Sequence, residues 1–138
     1  MIIRPHSILL DAEALSALAA GTRTMQAWAT AARRSDSILH ASAVTLAEVT
    51  DGTARDADVR RISKALRIVP VSEEIGYTAG RLRAGAASTR RKPRDLAVDA
   101  IVAATALVLP PPVAVLTGDV SDLRHLLADT EVRIEGLR

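Results

Sequence analysis

Short aliphatic runs alternate with helix-forming segments along this chain, and that alternation constrains its fold more than any other feature. "SILL" (7–10) leads into "DAEALSALAA", which Gly21 stops. "SILHASAVT" (37–45) leads into a short helical piece within "TLAEVTDGT", and "RIVPVS" (67–72) into "SEEIGYTAGRLRAG". "VAVLTGD" (113–119) is the cleanest strand signal, followed by "SDLRHLL" as a short helix and "EVRIEGL" as a final strand. Further helices are expected over 22–34, with Met25, Trp28 and Ala29 on one face, and over 56–66, with Val59, Ile62 and Leu66 on one face. Strands that are apolar throughout are buried on both faces, as in a parallel sheet covered by helices. The expected fold is therefore α/β: one domain over 1–138, with a central, mainly parallel sheet of four to five strands and helices on both faces.

In such sheets, functional groups collect beyond the carboxyl ends of the strands. The acids fall there. Asp11 ends the first strand, and Asp119 stands in the corresponding place after "VAVLT", with Asp122 one helical turn further on. Glu48 lies in the helical piece after the second strand. Asp99 lies near the start of "LAVDAIVAATALV", an apolar helix stopped by the triple proline 110–112. Each acid has an ordinary use as well. Asp11, Asp119 and Asp122 suit caps and turns, Asp95 and Asp99 can balance a helix dipole, and Glu48 can be an exposed helix residue. Taken together they are harder to explain singly. Asp11 and Asp99 are embedded in apolar sequence, where an unpaired carboxylate loses hydration or takes up a proton. A hard divalent cation relieves both that cost and the mutual repulsion, since Mg²⁺ and Mn²⁺ favour carboxylate oxygens.

Composition narrows the function classes. The chain has no cysteine, which excludes disulfides and thiolate metal sites, and no apolar run approaches the roughly 18 residues of a membrane span. The start, "MIIRPHSILLD", lacks the pattern of a secretory signal, so a cytoplasmic location without membrane association is expected. Trp28 and Tyr77 are the sole aromatic residues, which disfavours binding nucleic acid through stacked bases. Phosphate contacts remain open: "RLRAGAASTRRKPR" (81–94) carries Arg81, Arg83, Arg90, Arg91, Lys92 and Arg94 and no acid. It reads either as a solvated loop or as a segment that tracks a phosphate backbone. His6, His40 and His125 are scattered and form no metal-spacing motif.

With "LLDAEAL", "TLAEV", "VDAIVAATA" and "LTGDVSDL" in this order, the chain resembles the PIN-domain ribonucleases, most of all the VapC-type toxins of bacterial toxin–antitoxin pairs. The resemblance runs over essentially the full length, and "DAIVAATA" followed by "LTGDVSDL" is its most specific part. It implies a Mg²⁺-dependent endoribonuclease, with Mn²⁺ able to substitute, commonly a homodimer and held inactive by a cognate antitoxin protein. By position, Asp11 and Asp99 match the principal metal ligands, Glu48 the acid of the second motif, and Asp119, with Asp122, the fourth. The six cations of 81–94 would then hold RNA phosphates. One residue departs from the pattern: two places after the first Asp the family usually has Ser or Thr, and here stands Glu13. It either turns away on the first helical turn or adds a charge to the pocket.

Other readings compete less well. A signalling receiver domain needs paired acids after the first strand and a lysine after a late one, and "VAVLTGD" offers no lysine. Haloacid dehalogenase-like phosphatases want Asp-x-Asp where this chain has Asp11-Ala12-Glu13. A non-catalytic PIN-like scaffold that binds RNA or protein is the alternative that Glu13 keeps open.

Overall fold

The computed structural model describes residues 4–87 and 96–138. Its elements follow in the order β1 (Ser7–Leu10), α1 (Ala12–Ala19), α2 (Arg23–Arg34), β2 (Ile38–Ser42), α3 (Ala43–Val49), α4 (Asp56–Ser63), β3 (Arg67–Val69), α5 (Glu73–Ala87), α6 (Ala97–Val108), β4 (Val113–Thr117), α7 (Val120–Leu126) and β5 (Arg133–Gly136). The five strands form one sheet in the order β3-β2-β1-β4-β5, and every neighbouring pair is parallel. All carboxyl ends consequently share one edge.

Period-two side-chain alternation divides the core into two layers. Ile8 and Leu10 of β1 and Leu116 of β4 pack with Leu15 and Leu18 of α1, Met25 of α2, Val49 of α3 and Val59 of α4. Leu9, Val113 and Val115 point the other way, onto Ile75 and Ala79 of α5, the alanine-rich face of α6, and Leu123 and Leu126 of α7. Helices thus cover both faces, which is why β1 and β4 are buried at every position and apolar at all but Ser7 and Thr117. Helix α6 buries Ala100, Val102, Ala103, Ala104 and Ala106. Its small side chains let it lie close to the sheet and to α5, and the near absence of aromatic residues is accommodated in this way.

Local signals set the element boundaries. Thr22 and Ser72 accept from the N–H groups of Met25 and Ile75, at 3.4 and 3.1 Å, and start α2 and α5. The apolar run after Ile38 suggests a strand as far as Thr45, but β2 stops at Ser42. The Ser42 hydroxyl accepts from Val44 N–H at 3.1 Å and begins α3 at once. The basic stretch also differs from a simple loop, since its first seven residues, Arg81 to Ala87, complete α5. The triple proline ends α6 and ties the approach to β4 onto β1: Pro112 carbonyl accepts from His6 and Ser7 N–H at 2.8 and 3.1 Å. No helix among the described residues is long and apolar enough to cross a membrane.

Candidate active site

Adjacent parallel strands deliver the first acid. β1 and β4 pair in register, with Leu10 opposite Leu116, so Asp11 and Thr117 leave the sheet side by side. Asp11 N–H still donates to Leu116 carbonyl at 3.1 Å. One carboxyl oxygen, Oδ1, accepts from Ala14 N–H at 2.9 Å and caps α1. The other, Oδ2, faces the β4–α7 turn and accepts from Gly118 N–H at 3.3 Å. Capping and facing the acidic edge are therefore compatible for Asp11, because each uses a different oxygen.

The environment of Asp11 opposes its ionisation. Burial pushes the carboxyl above its ordinary range, and the charge of Glu13 pushes the same way. Hydrogen bonds from the Thr117 hydroxyl and from the N–H groups of Ala14 and Gly118 pull it back without prevailing. Thr117 has a single hydroxyl hydrogen, which is shared between Asp11 and the Asp119 carbonyl at 3.1 Å.

Glu48 arrives from α3 and Asp99 from the first turn of α6. Glu48 is exposed as a residue, yet its carboxyl is also raised. Partial burial is the largest cause, followed by the negative charges of Asp99 and then Asp11. Acids from two other segments, Asp99 and Asp11, therefore lie within electrostatic reach of Glu48 at the carboxyl edge.

The remaining expected residues are distributed more widely. Asp119 is exposed and caps α7, accepting from Ser121 N–H at 3.1 Å. Asp122, on the first turn of α7, is only 4 % exposed. Neither figures among the charges that raise Asp11 or Glu48. Arg81 and Arg83 are exposed on α5, and Arg81 donates to the Thr78 hydroxyl at 3.1 Å. Arg90, Arg91, Lys92, Arg94 and Asp95 lie outside the described residues. Sequence reading singled out neither Thr117, Gly118 nor Arg138, yet all three meet the acids here. "LTGD" carries a signal for the first two, while Arg138 has none.

The donor set suits a hard divalent cation. Every candidate ligand is a carboxylate oxygen, and two of them are held above their ordinary pKa by burial first and by neighbouring negative charge second, the condition that a cation relieves. Among the described residues, no three His, Asp or Glu side chains converge closely enough to enclose an ion by themselves. Magnesium does not demand this, because it keeps several waters and takes one or two carboxylates.

A parallel α/β sheet whose carboxyl edge gathers acids from distant segments, with no thiol or histidine cluster beside them, defines a class of proteins built around carboxylate chemistry. Within that class the chain belongs to the PIN-domain family, whose model matches residues 8–117. The matched span contains Asp11, Glu48 and Asp99 and ends before Asp119. Solved structures share the fold. VapBC2 from Rickettsia felis, bound to a DNA fragment from its promoter, superposes with a TM-score of 0.74 at 12% identity, covering 94% of this chain and 98% of that one. FitAcB from Neisseria gonorrhoeae gives 0.68 at 21% identity over 94% and 97% of the two chains. A toxin–antitoxin complex from Klebsiella pneumoniae gives 0.64 at 22% identity over 91% and 94%. No curated protein matches the chain by sequence.

Proposed function

We propose that this chain is a Mg²⁺-dependent endoribonuclease, the toxin of a toxin–antitoxin pair, that hydrolyses RNA phosphodiester bonds. The observation that supports the reading is that the Glu48 carboxyl feels the negative charges of both Asp99 and Asp11, so that three separate segments of a PIN-family chain bring acids toward one edge. Membership of the family and the likeness to toxin–antitoxin complexes support the biological setting. On the same grounds the partners are RNA, a cognate antitoxin protein and a second copy of the chain, in the cytoplasm.

Asp11 and Asp99 would hold the divalent ion, with Mn²⁺ able to replace Mg²⁺. When bound, the ion supplies Lewis acidity, acidifying water and polarising a phosphoryl oxygen. Glu48, whose carboxyl is raised above its ordinary range, would orient or deprotonate the water, or bind the ion through it. Asp119 and Asp122 would complete the pocket or hold a second ion. Arg81 and Arg83, with Arg90, Arg91, Lys92 and Arg94, grip backbone phosphates that the acids alone would repel.

The test is incubation of the purified chain with RNA in Mg²⁺, Mn²⁺ or EDTA, followed by sequencing of the ends produced. Cleavage that needs the divalent ion and leaves 5′-phosphates is expected. Intact RNA together with weak Mn²⁺ binding would instead make the chain a non-catalytic scaffold.

A further inference from the structure

Glu13 turns toward the acidic edge. Its carboxylate lies against Gly118, in space that a Cβ would fill. Gly118 also reaches Asp11 through its N–H, at 3.3 Å, and the charge of Glu13 is felt at Asp11. The Glu13 carboxylate is not left alone there, since Oε1 accepts from the Arg138 guanidinium at 2.6 Å. Backbone pairing delivers that arginine. β5 runs beside β4 with Gly136 opposite Thr117, and Leu137 N–H then donates to Thr117 carbonyl at 3.1 Å. The chain following β5 is thereby bonded to the same turn that contacts Asp11 and Glu13.

We propose that Arg138 is a built-in counter-ion of the acidic edge, occupying Glu13 and keeping this carboxylate from joining Asp11 in binding a divalent cation. The inference rests on the metal-dependent reading above. Guanidinium and metal ion compete for the same carboxylate lone pairs, so an oxygen engaged by Arg138 is withdrawn from the donor set. Freed, Glu13 is one more hard-oxygen donor beside Asp11, and affinity for a divalent cation grows with the number of carboxylates offered. The Arg138 side chain is 80% exposed, and an ion pair so open to water is weak enough to exchange. Arg138 is thus a positioning residue, acting through Glu13 to limit the charge and ligand count of the pocket.

Mn²⁺ titration of the full chain, following the free-ion signal by electron paramagnetic resonance, tests this. Arg138→Ala should bind Mn²⁺ about fivefold tighter than the wild type, the scale of one exposed ion pair. Arg138→Lys should stay near the wild type. In a Glu13→Gln background, Arg138→Ala should bring no gain. Wild-type binding without a gain in Arg138→Ala overturns the counter-ion role and leaves the metal reading standing. An equal gain in the Glu13→Gln background also overturns it, assigning the effect to net charge alone. Absence of Mn²⁺ binding in every variant overturns the metal reading and this inference with it.

Discussion

Leu10 and Leu116 are register partners in the two central strands, and each is fully buried. The pairing makes Asp11 and Thr117 neighbours although 106 positions separate them in sequence. The Asp11 carboxyl then closes the arrangement by accepting from Gly118 N–H. Rigid strands, rather than loops, hold this end of the site, which is the condition for placing charged groups reproducibly.

Asp11→Asn and Asp99→Asn should each lower RNA cleavage by about 100-fold or more, the scale of losing one charge-stabilising group in an active site. Circular dichroism should remain that of the wild type, because the amide oxygen can still cap α1 at Asp11. Full activity in either variant would refute its assignment as a ligand.

Glu48→Gln separates function from stability. In the folded state the Glu48 carboxyl is raised, so the stability it contributes is fully present below its ordinary value of 4.5 and is lost as pH rises through the folded value. At pH 7 without divalent ions, the amide should therefore stabilise the fold by about a few tenths of a kcal/mol, small because the site is exposed. The gain should vanish near pH 4, while cleavage is lost throughout. Urea denaturation at the two pH values measures it, and a destabilised variant at pH 7 would contradict the cost of burial and repulsion assigned to the Glu48 carboxylate.

Gly118→Ala places a methyl group where the Glu13 carboxylate lies. The obstructing atoms end a flexible side chain, so Glu13 should swing aside at a cost of about 1 kcal/mol or less, including the Arg138 ion pair. In a Glu13→Ala background the same substitution should cost almost nothing. A double-mutant cycle by thermal denaturation reads the coupling; additive effects would show that the two side chains do not meet.

His40 predicts the acid side of the stability profile. It is buried in β2, its Nδ1 has no hydrogen-bond partner, and burial, with smaller contributions from Arg67 and His6, holds its pKa below the ordinary 6.5. The unfolded chain therefore takes up a proton near pH 6.5 that the folded chain refuses, and stability falls as pH drops below that value. His40→Leu should flatten the decline in melting temperature between pH 7 and 5. Parallel declines in the two proteins would remove His40 from the explanation.

Arg81→Ala and Arg83→Ala remove exposed cations from α5. Each should weaken RNA binding in EDTA without regard to sequence, and reduce the slope of log affinity against log salt by about 0.7 for a single strand. Fluorescence anisotropy over a salt series checks this. An unchanged slope would assign RNA contacts to other parts of the chain.

Much of the fold is legible because local rules and tertiary demands agree. "VAVLT" is apolar up to its last residue, Thr117, and becomes the buried β4, and "DAIVAATA" presents alanines that let α6 pack closely. The β2–α3 boundary is less legible. Apolar character continues through Ala43 and Val44, but the Ser42 hydroxyl caps a helix there. The positions of Asp11, Glu48 and Asp99 follow from the strand–helix order. Glu13 does not, because its direction depends on a glycine and an arginine more than a hundred residues away.

The sequence by itself determined the layered α/β architecture and the types of donor available, since periodicity and residue chemistry are local properties. Only the tertiary structure decided which acids share a field, which one Arg138 engages, and that Asp11 caps a helix with one oxygen while offering the other to the β4–α7 turn. Those outcomes depend on strand register and on the course of the chain after β5. Both are settled by packing between distant segments, which no local pattern encodes.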